Sequence, residues 1–225
     1  MRIVSGTSTL LLPTRHICDN SDGHVMEEDD LITESEEIQE SESFVSRHAL
    51  SMALGSTLAF ILYTVLVLGR PGECFKVDDG PNSLGLTFNY TLQMVQEFFE
   101  SRSTSQLECY SEFLQIWDVL FAVIYTSMYC FWILYFFKNR RILLVIPVLS
   151  MLADWAENIT EIMMINSYLD SNTISETLVS VGSGINMIKW ILSTLTYLIV
   201  FAGIGLKIKS AMSTSQMNDD KSSQN

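Results

Sequence analysis

The chain has 225 residues, 48% of them hydrophobic, and a formal net charge of −13. The length suits one ordinary domain, the apolar share is high for a soluble one, and no segment is basic enough to bind nucleic acid. Four apolar runs, 48–69, 113–137, 142–165 and 185–206, carry the excess. Each is close to the roughly 20 residues a helix needs to cross about 30 Å of hydrocarbon, whereas a barrel would show short alternating strands. The expected fold is all-α, an antiparallel four-helix transmembrane bundle with a partly structured outer loop and disordered tails.

In chain order, residues 1–47 come first. Through residue 48 the chain holds eleven acids against Arg2, Arg15 and Arg47, too little apolar surface to offset chain entropy, so a solvated acidic tail is expected. Its Thr33-x-x-Glu36 stretch offers a phosphorylation motif. The leucines before Pro13 are too few for a secretory signal, which leaves the helix 48–69 as the insertion signal.

The loop 70–112 follows. It contains the sequon Asn89-Tyr90-Thr91, a candidate for N-glycosylation on a lumenal or extracellular face. Cys74 and Cys109 flank it and either form a disulfide or stay as free thiols. Leu92, Val95, Phe98 and Phe99 recur at helical spacing, which predicts a short amphipathic helix over the bundle mouth. Helices 113–137 and 142–165 are joined by the basic turn KNRR. A second outer loop, 166–184, is expected from its Asn, Ser and Gly-Ser-Gly content. The last helix, 185–206, precedes the basic KIK and a polar tail, 208–225.

Arg47, KNRR and KIK fall on one side of a four-span chain, which by the positive-inside rule puts both termini in the cytosol of a plasma or internal membrane. Ala202, Gly203 and Gly205 give the last helix a small-residue face through which a homo-oligomer can form.

The third helix carries LADWAENITE. Asp154, Glu157, Asn158 and Glu161 stand at i, i+3, i+4 and i+7 and so form one polar stripe, with Asp154 roughly 20 Å from the basic turn and Glu161 at the outer interface. A charged side chain facing lipid at mid-membrane costs about 3 kcal/mol or more, so the stripe must face protein or water. Asp118 on the second helix and Lys189 on the fourth lie at similar depth. The candidate ligand- or proton-binding set is therefore Asp118, Asp154, Glu157, Asn158 and Lys189, supported by Tyr125, Glu161 and Trp190, with Trp117 and Trp155 as further apolar wall. Three carboxylates facing one ammonium are expensive in a low dielectric, so a carboxyl carries a proton or a cation joins them. No cofactor and no metal centre are expected, because the bundle has no histidine and no cysteine pair beside the acids.

The string YSEFLQIWDVLFAVIYTSMY, the Arg-rich turn, Ile-Pro, ADWAEN and Lys-Trp together resemble a family of small four-span membrane proteins of no established activity. The resemblance covers the second to fourth helices and the loop before them. It lands on Tyr110, Asp118, Tyr125, Pro147, Asp154, Glu157, Asn158, Lys189 and Trp190. It implies the four-span fold and one shared polar site, and names no reaction.

The reading these residues favour is a membrane protein whose polar intramembrane pocket binds a small molecule or lipid, such as an amine or a head group. The alternatives are a lipid-modifying enzyme with carboxyls as acid and base, a proton- or cation-coupled transporter subunit, and a structural protein whose buried ion pairs join helices. Expected partners are membrane lipids, a small-molecule ligand and a second copy, with no nucleic acid.

Overall fold

The computed structural model describes residues 48–78, 80–138 and 140–222. The acidic segment 1–47 and its phosphorylation motif lie outside the described residues. Among those described, four helices are long and apolar enough to cross a membrane: α1 (His48–Phe75), α3 (Thr104–Phe136), α4 (Arg141–Ser171) and α5 (Glu176–Ser222), of which the apolar part is Glu176–Ser210. A short helix, α2 (Leu92–Glu100), lies in the loop between α1 and α3. No strand occurs among the described residues. The architecture is the expected all-α, antiparallel four-helix bundle.

The helices are longer than the apolar runs that announce them. α3 begins at Thr104 because Ser103 and Gln106 form a reciprocal capping box, which satisfies the first free backbone donors well before the apolar run starts. The second outer loop shrinks to four residues, 172–175. α4 continues to Ser171 and stops where Asn172 takes a left-handed conformation (φ 54°). The Gly-Ser-Gly segment 182–184 is not a turn, since it lies inside α5. Gly182 has a packing reason to be there: a Cβ would stand 2.5 Å from the Tyr90 hydroxyl and 2.8 Å from that of Thr160. Gly203 likewise serves an internal contact, because its missing side chain leaves room for the Phe136 ring of α3.

Among the described residues two helices carry a π turn. In α1 the turn Tyr63–Leu68 contains Val67, which lies four residues before Pro71, and the proline has no N–H to offer its carbonyl. In α3 the turn Phe113–Asp118 loosens the backbone ladder. Side chains from neighbouring helices take up the carbonyls: Tyr63 donates to Trp117 O at 2.8 Å and Asn158 to Leu114 O at 3.3 Å.

α1 packs along α3 through the Trp132 indole, which donates to Thr57 Oγ1 at 2.9 Å, and through the stacked rings of Phe60 and Phe121. The α4–α5 contact is the most extensive in the bundle, and Tyr129 on Tyr197 joins α3 to α5. Along α1, Leu50, Leu54, Leu58, Ile61, Val65 and Leu66 face outward. Such a run of exposed aliphatic side chains suits hydrocarbon and not water.

The tightest apolar core sits at one end, under the loop. Phe75, Leu84, Val95, Phe98, Phe99, Leu107 and Tyr110 pack there against Met164 and Ile165 of α4. The helix expected at 91–99 forms as Leu92–Glu100, with the Thr91 hydroxyl accepting from Met94 N at its start. Cys74 and Cys109 are joined in a disulfide. Cross-linking positions 35 apart removes unfolded-state freedom worth about 4 kcal/mol in the chain-entropy treatment. Arg102 adds a polar staple: it donates to the carbonyls of Phe75 (3.0 Å), Phe98 (2.9 Å) and Pro81 (2.8 Å) while stacking on the Phe98 ring. Burial pulls its guanidinium down from the ordinary arginine value, and the three carbonyls serve its planar fork of donors. Residues 75–78 and 80–102 thus form a fastened lid.

Candidate functional site

The polar stripe of α4 turns inward, as a charge in a membrane helix must. Asp154, Glu157, Asn158 and Glu161 are all buried, Glu157 and Glu161 completely. Glu161, expected at the outer interface from its depth along the helix, is enclosed by protein. The lid folds over it, and the Tyr110 hydroxyl donates to its carboxylate. Tyr110 also accepts from Leu84 N at 3.2 Å and shares a 3.0 Å hydrogen bond with Ser83.

Lys189 of α5 joins the stripe from the side. Its ammonium pairs with Glu157 and with Asp154 Oδ1 at 3.1 Å, and it donates to the Gly85 carbonyl at 3.2 Å. One turn earlier, Asn186 donates to Glu157 Oε1 at 2.6 Å and to the same carbonyl at 3.2 Å. Gly85 lies in the 3₁₀ turn Leu84–Leu86, and a Cβ there would come within 3.3 Å of Lys189 Nζ and 3.5 Å of Glu157 Oε1. The backbone of the lid thus plugs the polar layer at close range. Asn89 adds a second tie to α5: its amide N–H donates to Asn186 and its side-chain oxygen accepts from Ser183. Tyr90 reaches in beside Thr160 and Gly182. Burial first, then the carboxyls of Glu161 and Glu157, hold its phenol well above the ordinary tyrosine range.

Asp118 stands apart. It ends the π turn of α3, and its carboxylate accepts from Asn158 Nδ2 at 2.8 Å. Among the described residues no basic side chain forms an ion pair with it. Asp154 is shared between Lys189 and the Tyr125 hydroxyl, which lies 3.4 Å from its Oδ2. Both acids line a cavity of about 480 Å³ between α1, α3, α4 and α5. Tyr125, Asn158, Lys189 and Trp190 line it too, whereas Glu157 and Glu161 do not. Trp117 and Trp155 are not part of this wall. Trp155 instead turns its indole toward Val119 O on α3, at 3.4 Å. The indole nitrogen of Trp190 is buried and without a partner among the described residues.

The structure thus gathers all the sequence-predicted polar residues into one layer and divides them. Glu157, Glu161 and part of Lys189 belong to a sealed half under the lid; Asp118, Asp154 and Asn158 belong to an open half on the cavity. Reasoning from sequence missed Gly85, Tyr90, Thr160, Ser183, Asn186 and Ser193. For α5 a signal existed: Ser183, Asn186, Lys189 and Ser193 follow one another on a single helix face, as the 2.8 Å hydroxyl contact of Ser193 with Ser150 reflects. For Gly85 none did, since a glycine in a coil carries no periodicity.

An all-α chain with four membrane-length apolar helices has the make-up of a multi-pass integral membrane protein. No family model, no curated protein and no solved structure matches it.

Proposed function

We propose that the chain is a multi-pass membrane protein that binds a small molecule or lipid head group bearing a cationic group, in the cavity lined by Asp118 and Asp154. The observation that carries this is Asp118: a carboxyl at a cavity wall whose one hydrogen-bond partner among the described residues is the Asn158 amide. Four carboxyls share one ammonium in this layer, and that ammonium is taken by Asp154 and Glu157. A ligand cation supplies the missing countercharge and the aromatic side chains around it favour it further. The aromatic side chains on the same wall favour an organic cation. The patterned residues that resemble a four-span family then mark the two halves of one site.

We also infer that both termini face the cytosol and that the lid lies on the other side. The basic KNRR and KIK segments support the first. The Cys74–Cys109 bond, at home in an oxidising compartment, and the Asn89-Tyr90-Thr91 sequon support the second.

A structural reading has its own support for half of the layer. Lys189 and Asn186 both donate to Gly85 O and both serve Glu157, so protein groups tie the sealed half together and hold the lid to α4 and α5, with Glu161 Oε1 left without a hydrogen-bond partner among the described residues. The deciding experiment is mass spectrometry of compounds that copurify with wild type and with Asp118→Asn. An amine or cationic lipid retained by wild type and lost from the variant is expected. Identical bound compounds in both would remove the binding reading and leave the structural one.

A further inference from the structure

The cavity is long and chemically two-ended. On α3 its wall runs from Phe113 to Tyr129, sixteen residues or about 24 Å at the rise of an α-helix. On α1 it runs from Phe60 to Phe75, about 22 Å by the same measure. The part toward the lid holds Asp118, Asp154, Asn158, Ser83 and Lys189, with Phe75, Phe113 and Phe121 beside them; the far end holds the rings of Phe60, Tyr129 and Tyr197. A compact amine would fill only the first of these. Its volume, about 480 Å³, falls in the range of sites for whole small molecules, roughly 300–1,000 Å³.

The charge at the polar end selects a cation. Lys189 is held by two carboxylates, and the other lysine on the wall, Lys76, is paired with Glu73. Asp118 has neither as a partner. The rings of Phe121 and Tyr125 follow it on the same face of α3, at i+3 and i+7, and line the same cavity, where aromatic faces favour a quaternary or primary ammonium.

The way in is set by what is fastened. Over the polar end the lid is tied by the Cys74–Cys109 bond, by Arg102 on three carbonyls and by Gly85 on Lys189 and Asn186. Beside the aromatic end, the neighbouring side chains Ile61 and Val65 of α1 and Leu198 and Phe201 of α5 face outward. The side toward hydrocarbon is the unfastened one.

We propose that the cavity takes a single-chain amphiphile with a cationic head, which enters sideways from the bilayer between α1 and α5 and lies along α3 with its ammonium at Asp118 and its tail among Phe60, Tyr129 and Tyr197. This rests on the binding function proposed above and names the class of ligand.

The test uses the full chain in phosphatidylcholine nanodiscs and three probes: hexadecyltrimethylammonium, hexadecanol and butyltrimethylammonium. Binding is measured as saturable displacement of radiolabelled hexadecyltrimethylammonium, corrected for partition into empty nanodiscs. The long-chain ammonium is expected to bind at least about tenfold more tightly than either other probe. Asp118→Asn should bring it down to the level of the alcohol, with Asp118→Glu restoring part of the difference. Tyr197→Ala should weaken the long-chain ammonium and leave the short one unchanged. If butyltrimethylammonium binds as tightly as the long-chain ion and depends on Asp118, the amphiphile is overturned while the cation site stands. If the alcohol matches the ammonium, if Asp118→Asn changes nothing, or if no probe binds saturably, both the amphiphile and the cation site fall.

Discussion

Glu157 and Asp118 lie in the same polar layer, on neighbouring helices, and meet opposite surroundings. Glu157 is fully buried and bonded to Lys189 and Asn186, with the lid backbone at Gly85 closing over it. Asp118 has one amide and a cavity. The same functional group, a carboxyl, therefore meets two environments here. A buried carboxylate enclosed by donors holds elements together, while one left facing space is available to a ligand. Intramembrane charge is by itself no guide to which. Each substitution below is aimed at one side of that division.

The largest effect should come from Lys189→Met. Lys189 is the single ammonium among four carboxyls, and it touches both halves through Glu157 and Asp154. Removing one partner of a buried ion pair leaves the other uncompensated, at a cost of about 3–5 kcal/mol. Chemical denaturation in detergent micelles measures this. A variant as stable as wild type would show that the pairing contributes nothing net, and the sealed half would lose its structural role.

Tyr110→Phe attacks the sealed half alone. The hydroxyl serves Glu161, Leu84 N and Ser83 at once, so its loss leaves buried groups unpaired and should cost about 1–3 kcal/mol. Faster hydrogen exchange should concentrate in residues 83–90, which this hydroxyl anchors, while binding at Asp118 is retained. Uniform exchange across the bundle would instead mean that the lid is held by the disulfide and Arg102 without help from Glu161.

Which parts of this were legible beforehand follows from periodicity. The four spans, the i, i+3, i+4, i+7 stripe of α4 and the amphipathic helix Leu92–Glu100 all write themselves at helical spacing, and the fold followed. The depth argument also brought Asp118 and Lys189 to the stripe. It could not divide the layer, because the division depends on where a coil segment returns: Gly85 and Tyr90 are placed by Arg102, by a disulfide and by the short turn Leu84–Leu86. The enclosure of Glu161 was hidden for the same reason, since distance along a helix says nothing of what folds over its end. The π turn that ends at Asp118 was equally hidden; no proline or glycine lies within Phe113–Asp118, and the partners that take its carbonyls come from α1 and α4.

The smallest effect on stability should be that of Asp118→Asn, and its smallness is the informative part. The Asp118 carboxylate accepts one hydrogen bond, from Asn158, and an asparagine oxygen can accept the same bond in the same place. No ion pair is broken among the described residues, and one of the surplus negative charges near Asp154 is removed. The change in unfolding free energy should stay within about 0.5 kcal/mol, or be slightly favourable. Denaturation of the ligand-free protein in micelles gives the number, and it must be taken ligand-free, since a bound cation would stabilise wild type by mass action and mimic a loss. A cost above about 2 kcal/mol would place Asp118 with Glu157 among the groups that hold the helices together. A near-neutral change with loss of cation binding would mean that Asp118 stays at the cavity for what it binds and not for what it supports.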